Sequence, residues 1–563
     1  MPFLLGEATQ EQIEAVQAVE DRADVCYRLM RLLSRPRNVA MWALLTAMAH
    51  EIEVFQQRYG ANSPKHRIAL INNDRYVCGF YFIAKYGKPE SRLTTLTYTG
   101  SLVADAVVAH YISRRYTNFL YLFPMWHKNH EQVDLSEGGR VRFYIPHDSP
   151  RQRQVIAYQQ IFRPAEDARG KPSPAVHSPY RQRLFSDLFQ TARPGGLQRK
   201  FRYKPSPKLI EELRPDYVER LDANFRHPDT FQLSGYSLRE FKEFYTAVLI
   251  LCAIHEYICY PWKDEGQPIP LSSLVMVRSR AQWIAKLSEV ADLPTEVCGR
   301  ILADLTLDPA NRSFTSLCIH PFVPLGHHGD NLAVAPQFPL ASAADENILR
   351  SFSYTFPALF SAQNTQKEDA MRAQIVAADA PYHIAFSIPL PDGSTNIDVL
   401  IEDGASSTVL MAELKWIRKP AKPLERLSRE EDLLKGIHQL ELIREYGRAR
   451  PTFLLDRGKL DKPLDSYEHV HHILLVRDYW HWIEPNDGIA VVDFDEFMRG
   501  YKACSSLKEF TEGLLRYEWL PVEDRDFHVE YSADSVNGAV IESPEFMPGP
   551  RPWERIRREN PSA

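Results

Sequence analysis

Residues 396–416, NIDVLIEDGASSTVLMAELKW, read as two strands joined by a turn. Ile397, Val399 and Ile401 alternate with Asn396, Asp398 and Glu402. Leu410, Ala412, Leu414 and Trp416 alternate with Val409, Met411, Glu413 and Lys415, the period of two expected of a half-buried strand. The intervening DGASS supplies turn chemistry. A four-residue loop over 404–407 pairs 403 with 408 and makes every opposed pair sum to 811. In that register Ile397 faces Leu414, Val399 faces Ala412 and Ile401 faces Leu410, giving one wholly apolar face. The other face sets Asp398 opposite Glu413 and Asn396 opposite Lys415. Directly opposed carboxylates repel, so a cation is expected between them. A divalent metal with Lys415 at its edge meets that need. The competing reading is a solvent-facing strand with a simple Lys415 salt bridge, in which a one-residue slip separates the pair.

Glu240-Phe241-Lys242 also spells Glu-x-Lys, but Ser237 and Glu240 have the spacing of a capping box, so those charges open a helix. Around the 396–416 hairpin, TQKEDAMRAQIVAA (365–378) reads as a helix and HIAFSIPL (383–390) as a strand. SREEDLLKGIHQLELIREYG (428–447) reads as a second helix with Ser428 and Glu431 as its capping box. PTFLL (451–455) and HHILLV (471–476) read as further strands.

This order, with Asp398 followed by Glu413-Leu414-Lys415 on the next strand, resembles the PD-(D/E)XK nuclease superfamily, whose core runs helix, three strands, helix, strand. The resemblance covers roughly residues 340–497, and Ile397-Asp398 stands where the family has Pro-Asp. It implies that Asp398, Glu413 and the Leu414 backbone carbonyl bind metal and that Lys415 orients and activates the attacking water. Glu368, 30 residues before Asp398, stands where many members carry a further acidic ligand, although Thr365 and Glu368 also have capping-box spacing. Gln439 matches the glutamine of a Gln-x-x-x-Tyr motif and counts with the catalytic set, but Ile443 takes the tyrosine position. Lys435, Gln439, Leu442 and Tyr446 share one helical face, turned to the site or to water.

Hard oxygen ligands favour Mg²⁺ or Mn²⁺ over zinc. Arg418, Lys419, Lys422, Arg426 and Arg429 follow the motif and are placed to hold a phosphate backbone, or form a solvated loop. The stretch Arg181, Arg183, Arg199, Lys200, Arg202, Lys204, interleaved with Phe185, Phe201 and Tyr203, offers stacking contacts to a single strand, or belongs to a linker. His327-His328 and His469, His471 and His472 lack a spaced set of metal ligands, and there is no GxxxxGK[ST] motif for nucleotide hydrolysis.

The function implied is a metal-dependent endonuclease that hydrolyses phosphodiester bonds of DNA, with the choice between DNA and RNA left open by the sequence and bacterial restriction or anti-phage defence as its setting. The alternative is a catalytically silent nuclease-like scaffold that binds nucleic acid or a partner protein. At 563 residues the chain exceeds one core, and its 44% hydrophobic and 25% charged content is that of a folded globular protein. A net charge of -6 gives no global pull on nucleic acid, so binding must rest on local basic surface. Seven scattered cysteines without CxxC spacing argue for reduced thiols. With no secretion signal and no membrane-length apolar run, cytoplasmic residence is expected.

The fold class expected is multidomain α+β: a largely helical N-terminal region plus a C-terminal restriction-endonuclease-like α/β domain with a mixed central sheet. The divisions fall at 1–162 (mostly helical, with strands at 141–145 and 154–162), 163–208 (proline-rich basic linker or long loop), 209–320 (helical), 321–500 (nuclease-like) and 501–563 (helix and frayed tail). The N-terminal helices are the expected platform for a protein partner.

Overall fold

The computed structural model describes residues 8–549, apart from 60–77, 92–98, 128–131, 137–139, 145–148, 163–177, 196–199, 226, 265–270, 311–316, 319, 326–329, 342–347, 350–351, 353–355, 418–422, 478–482 and 484–487. The protein is mixed α+β, with a helix-rich N-terminal region and a mixed sheet in its C-terminal part. No helix among the described residues is long and apolar enough to cross a membrane.

The C-terminal sheet carries the hairpin. Its helices and strands run α1 (Asn364–Val376), β1 (His383–Pro389), β2 (Asn396–Asp403), β3 (Thr408–Trp416), α2 (Pro423–Ala449), β4 (His469–Arg477), β5 (Ile489–Asp493), α3 (Phe494–Ala503) and α4 (Leu507–Leu515). The sheet order is β5-β4-β3-β2-β1. β1, β2 and β3 form an antiparallel meander, whereas β3, β4 and β5 are parallel, with α2 in the β3–β4 crossover.

The predicted register holds where the two hairpin strands pair: Asp403 opposes Thr408, Ile401 opposes Leu410 and Val399 opposes Ala412. The expectation of a half-buried hairpin does not. Leu400, Val409 and Met411, assigned to the polar face, are as buried as Ile401 and Leu410. The reason is α2, which lies across β3 and β4 on that face, while α3 and α4 pack against the strands from elsewhere in the layer. Gly436 allows α2 to come this close, since a Cβ there would lie 2.8 Å from Leu474 Cδ1 and 3.2 Å from Lys415 Cε.

Other expectations near the sheet change as well. Helix α2 starts at Pro423, five residues before Ser428, so Ser428 and Glu431 lie inside the helix instead of capping it. Proline suits a first helical turn, where its missing N–H is no loss. PTFLL forms consecutive turns, with Asp456 N–H donating to Thr452 O and Gly458 in the left-handed region at φ 62°.

Two further cores are formed among the described residues. Helices Gln10–Asp24, Arg37–Tyr59, Cys78–Tyr86 and Gly100–His127 pack with a four-stranded sheet of Gln132–Ser136, Arg140–Tyr144, Ala539–Pro548 and Phe527–Val536. Residues 527–548, in the segment expected to hold one helix before its tail, are a hairpin tied to the N-terminal region, and Arg142 clamps Glu542 at 2.7 Å, while the stretch expected to fray lies, from residue 550 on, outside the described residues. The segment 154–162, expected as a strand, is helical, with Ser149 capping the helix Pro150–Ala157. Its consecutive apolar residues reflect burial of Val155, Ile156, Ala157 and Tyr158.

The third core gathers Pro179–Thr191, Pro207–Asn224, Leu238–Asp264, Arg280–Ala291 and Thr295–Asp304. Part of the expected linker thus folds as a helix, with Phe185 and Leu188 buried in this core. A small sheet joins Met276–Ser279 to Asn331–Val334 and Val323–Pro324, so chain on both sides of residue 320 shares one core. Ser237 and Glu240 do form the expected capping box, with Ser237 N–H donating to Glu240 Oε2 at 2.7 Å.

Candidate functional site

Asp398 sits where regular pairing ends on one side of β2 and is interrupted on the other. The β2–β3 ladder ends at Val399 and Ala412, and the β1–β2 ladder skips Ser387 opposite Asp398. Ser387 adopts φ 51°, a left-handed conformation that costs a non-glycine residue about 1–2 kcal/mol. Strain of this kind concentrates at functional sites. The opening lets the Asp398 side chain enter the gap between β2 and β3, where its Oδ2 accepts the Leu414 N–H at 3.0 Å. In an extended strand the carbonyl of a residue leaves on the same side as its N–H, so the Leu414 carbonyl faces this opening too.

Four predicted residues meet here. Asp398 and Glu413 are 5% and 2% exposed, so the sheet removes both carboxylates from water. Lys415 Nζ donates to Glu413 Oε1 at 2.6 Å and to Gln439 Oε1 at 3.0 Å. Gln439 Nε2 donates in turn to Thr395 Oγ1 at 3.2 Å, which ties α2 to the β1–β2 loop. Burial and the neighbouring Asp398 carboxylate push Glu413 up to about 8, with the Lys415 ammonium pulling the other way. Glu413 Oε2 is buried without a hydrogen-bond partner, which is costly unless a cation or proton satisfies it.

Glu368 lies at the rim. It does not cap α1, whose N-cap residue is Gln363; it pairs with Arg372 at 3.5 Å. Burial, and then Asp398, raise the Glu368 pKa, while Arg372 and Lys415 lower it. Arg372 also reaches Asp398 Oδ1 at 3.2 Å and Asp369 at 3.0 Å, and Asn396 Nδ2 donates to the same Asp398 oxygen at 2.9 Å. Arg372, Asn396, Thr395 and Ser387 are the site residues that sequence reasoning missed. Arg372 had a signal, four residues after Glu368 on a helix, where side chains are neighbours.

Among the described residues, no group of three or more His, Cys, Asp or Glu side chains is arranged to hold a metal ion. The donor set at the opening is smaller: Asp398, the free oxygen of Glu413 and the Leu414 carbonyl, all hard oxygens suited to Mg²⁺ or Mn²⁺. With the orphaned Glu413 Oε2 among them, these residues fit such an ion.

Other predicted positions fall outside the site. Arg418, Lys419 and Lys422 lie outside the described residues, as do His327 and His328, and Arg426 is on the first turn of α2. Arg429 faces Asp432 at 3.8 Å. The shared face of α2 divides: Gln439 enters the site, Lys435 is largely exposed beside Asp432, and Tyr446 lines a separate groove of about 530 Å³ with Arg450 and Arg457. Of the basic, aromatic stretch, Arg199 lies outside the described residues, and the Tyr203 and Phe185 side chains are engaged within the protein. Tyr203 OH bonds His255 Nδ1 at 2.8 Å, and the Phe185 ring lies 3.8 Å from that of Tyr257. His469, His471 and His472 are strand residues on β4, the last buried, with its pKa lowered to about 3 by desolvation and then by Arg444. Comparison of the chain with protein-family models, with curated proteins and with solved structures returns no match.

Proposed function

We propose that the region built on β1–β5 is a metal-dependent phosphodiesterase of the PD-(D/E)XK type, acting as an endonuclease on DNA. The observation that carries this reading is the convergence of Asp398 and Glu413 where the pairing of β2 and β3 ends, with Lys415 bonded to both Glu413 and Gln439. The order α1, three antiparallel strands, α2 and a parallel β4 supports it, because the superfamily core has the same sequence of elements.

Asp398, Glu413 and the Leu414 carbonyl would hold Mg²⁺ or Mn²⁺. The bound ion lowers the pKa of water and stabilises charge on the phosphate, each effect contributing several kcal/mol. Lys415 has three N–H donors; Glu413 and Gln439 take two, and the third is available to orient the attacking water. Gln439 and Thr395 fix the direction of that ammonium. Burial beneath α2 keeps bulk water from screening these charges.

None of the seven cysteines is in a disulfide, which suits a reducing compartment such as the cytoplasm. A nuclease region joined to two further cores suits a restriction or anti-phage role, with those cores recognising a trigger or partner. A silent scaffold is the second reading, and Arg372 favours it by neutralising Asp398 without a metal. Purified full-length protein incubated with plasmid, linear and single-stranded DNA and with RNA, in Mg²⁺, Mn²⁺ or EDTA, separates the two. Cleavage that needs the divalent ion supports the enzyme, and binding without cleavage in every condition supports the scaffold.

A further inference from the structure

Two carboxylates buried together, with a third at the rim, need positive charge nearby. Lys415 supplies part of it from the Glu413 side. On the Asp398 side the charge comes from α1. The Arg372 guanidinium spans Asp398 Oδ1 at 3.2 Å and Glu368 Oε2 at 3.5 Å through one Nη, while the other Nη holds Asp369 at 3.0 Å. Its side chain is 17% exposed. Its Nε is buried without a hydrogen-bond partner, so the present position leaves one donor unsatisfied.

We propose that Arg372 is a built-in counter-cation that competes with the divalent ion for Asp398, and so sets how tightly the centre binds metal. This rests on the metal-centre reading above. Asp398 Oδ1 accepts from Arg372 and Asn396 together, so an ion approaching that oxygen meets a positive charge already in place. Two cations cannot share one carboxylate oxygen cheaply at this depth. Metal entry therefore requires the guanidinium to swing outward on its flexible stem. That motion also relieves the unsatisfied Nε.

The test is calorimetric titration of Mn²⁺ alone into the full-length protein at pH 8, comparing wild type with Arg372→Gln and Arg372→Lys. Arg372→Gln should bind Mn²⁺ about tenfold or more tightly than wild type, because a like charge is gone. Arg372→Lys should fall between the two, since its ammonium cannot span both carboxylates as a fork does. The lysine variant carries the test alone if the glutamine variant does not fold. A wild type that binds as tightly as, or more tightly than, the folded variants overturns the role of Arg372. Abolition of the wild-type heat by Asp398→Asn shows that the metal centre itself stands in that case. Absence of Mn²⁺ binding in every protein removes the metal centre, and the inference with it.

Discussion

Lys415 Nζ lies 3.0 Å from Gln439 Oε1, a contact that joins the central strand of the sheet to the helix above it. Gln439 is itself held by Thr395, so the ammonium direction is fixed from two elements. Gln439→Ala should lower Mg²⁺-dependent cleavage about 10- to 100-fold, the usual loss when an outer partner of a metal centre is removed. Steady-state cleavage rates check this, and an unchanged rate would show that Lys415 needs no such support.

Gly436 is the second point at which α2 controls Lys415. A Cβ at 436 gains about 1 kcal/mol in helix propensity but must displace Leu474 and the Lys415 stem. Overpacking of this kind costs about 1–3 kcal/mol. Gly436→Ala should therefore leave the melting temperature nearly unchanged or slightly lower while reducing cleavage clearly. Activity that rises or stays level alongside a higher melting temperature would contradict this packing argument.

Glu413 links the centre to metal-free stability. Its folded pKa of about 8 lies above the ordinary 4.5, so between those values the folded protein keeps a proton that the unfolded chain has lost. The stability it contributes is present below pH 4.5 and is lost as pH rises through about 8. Glu413→Gln in EDTA should accordingly melt about 3 °C or more above wild type at pH 9, with the gap closing near pH 5. Equal melting temperatures at pH 9 would contradict the assignment.

Three buried histidines act in the opposite sense. Burial lowers His255 and His320 to about 4 and His472 to about 3, against an ordinary 6.5. As pH falls below 6.5 the unfolded chain takes up protons that the folded chain refuses, so stability declines toward pH 4. Urea unfolding should show a lower midpoint at pH 5 than at pH 7, with each histidine contributing up to about 2 kcal/mol. His472→Asn should reduce that fall, and a pH-independent midpoint would contradict it.

The legible part of the site was the part written in local periodicity. Alternation and a four-residue turn gave the register that the structure shows between Asp403 and Thr408 and onward to Val399 and Ala412. Alternation did not reveal that Leu400 and Met411 face a helix, because burial of a second face depends on chain far along the sequence. Arg372 was missed for a related reason: its helical spacing from Glu368 was legible, but its reach to Asp398 on β2 is set by the fold. The interruption at Ser387 has no sequence signal, as serine carries no preference for positive φ. Proline and basic composition suggested open chain at 179–191, but Ser178 caps a helix there and Phe185 anchors it. The hairpin 527–548 was hidden behind the polar texture of exposed strands.

The central claim is that Asp398, Glu413 and Lys415 form one metal-dependent hydrolytic centre. Its most direct test is plasmid cleavage in Mn²⁺ by wild type, Asp398→Asn and Lys415→Ala, with circular dichroism confirming that each variant is folded. Wild type should cleave, EDTA should abolish that cleavage, and neither variant should cleave above background. Undiminished cleavage by a folded Lys415→Ala or Asp398→Asn protein would contradict the claim.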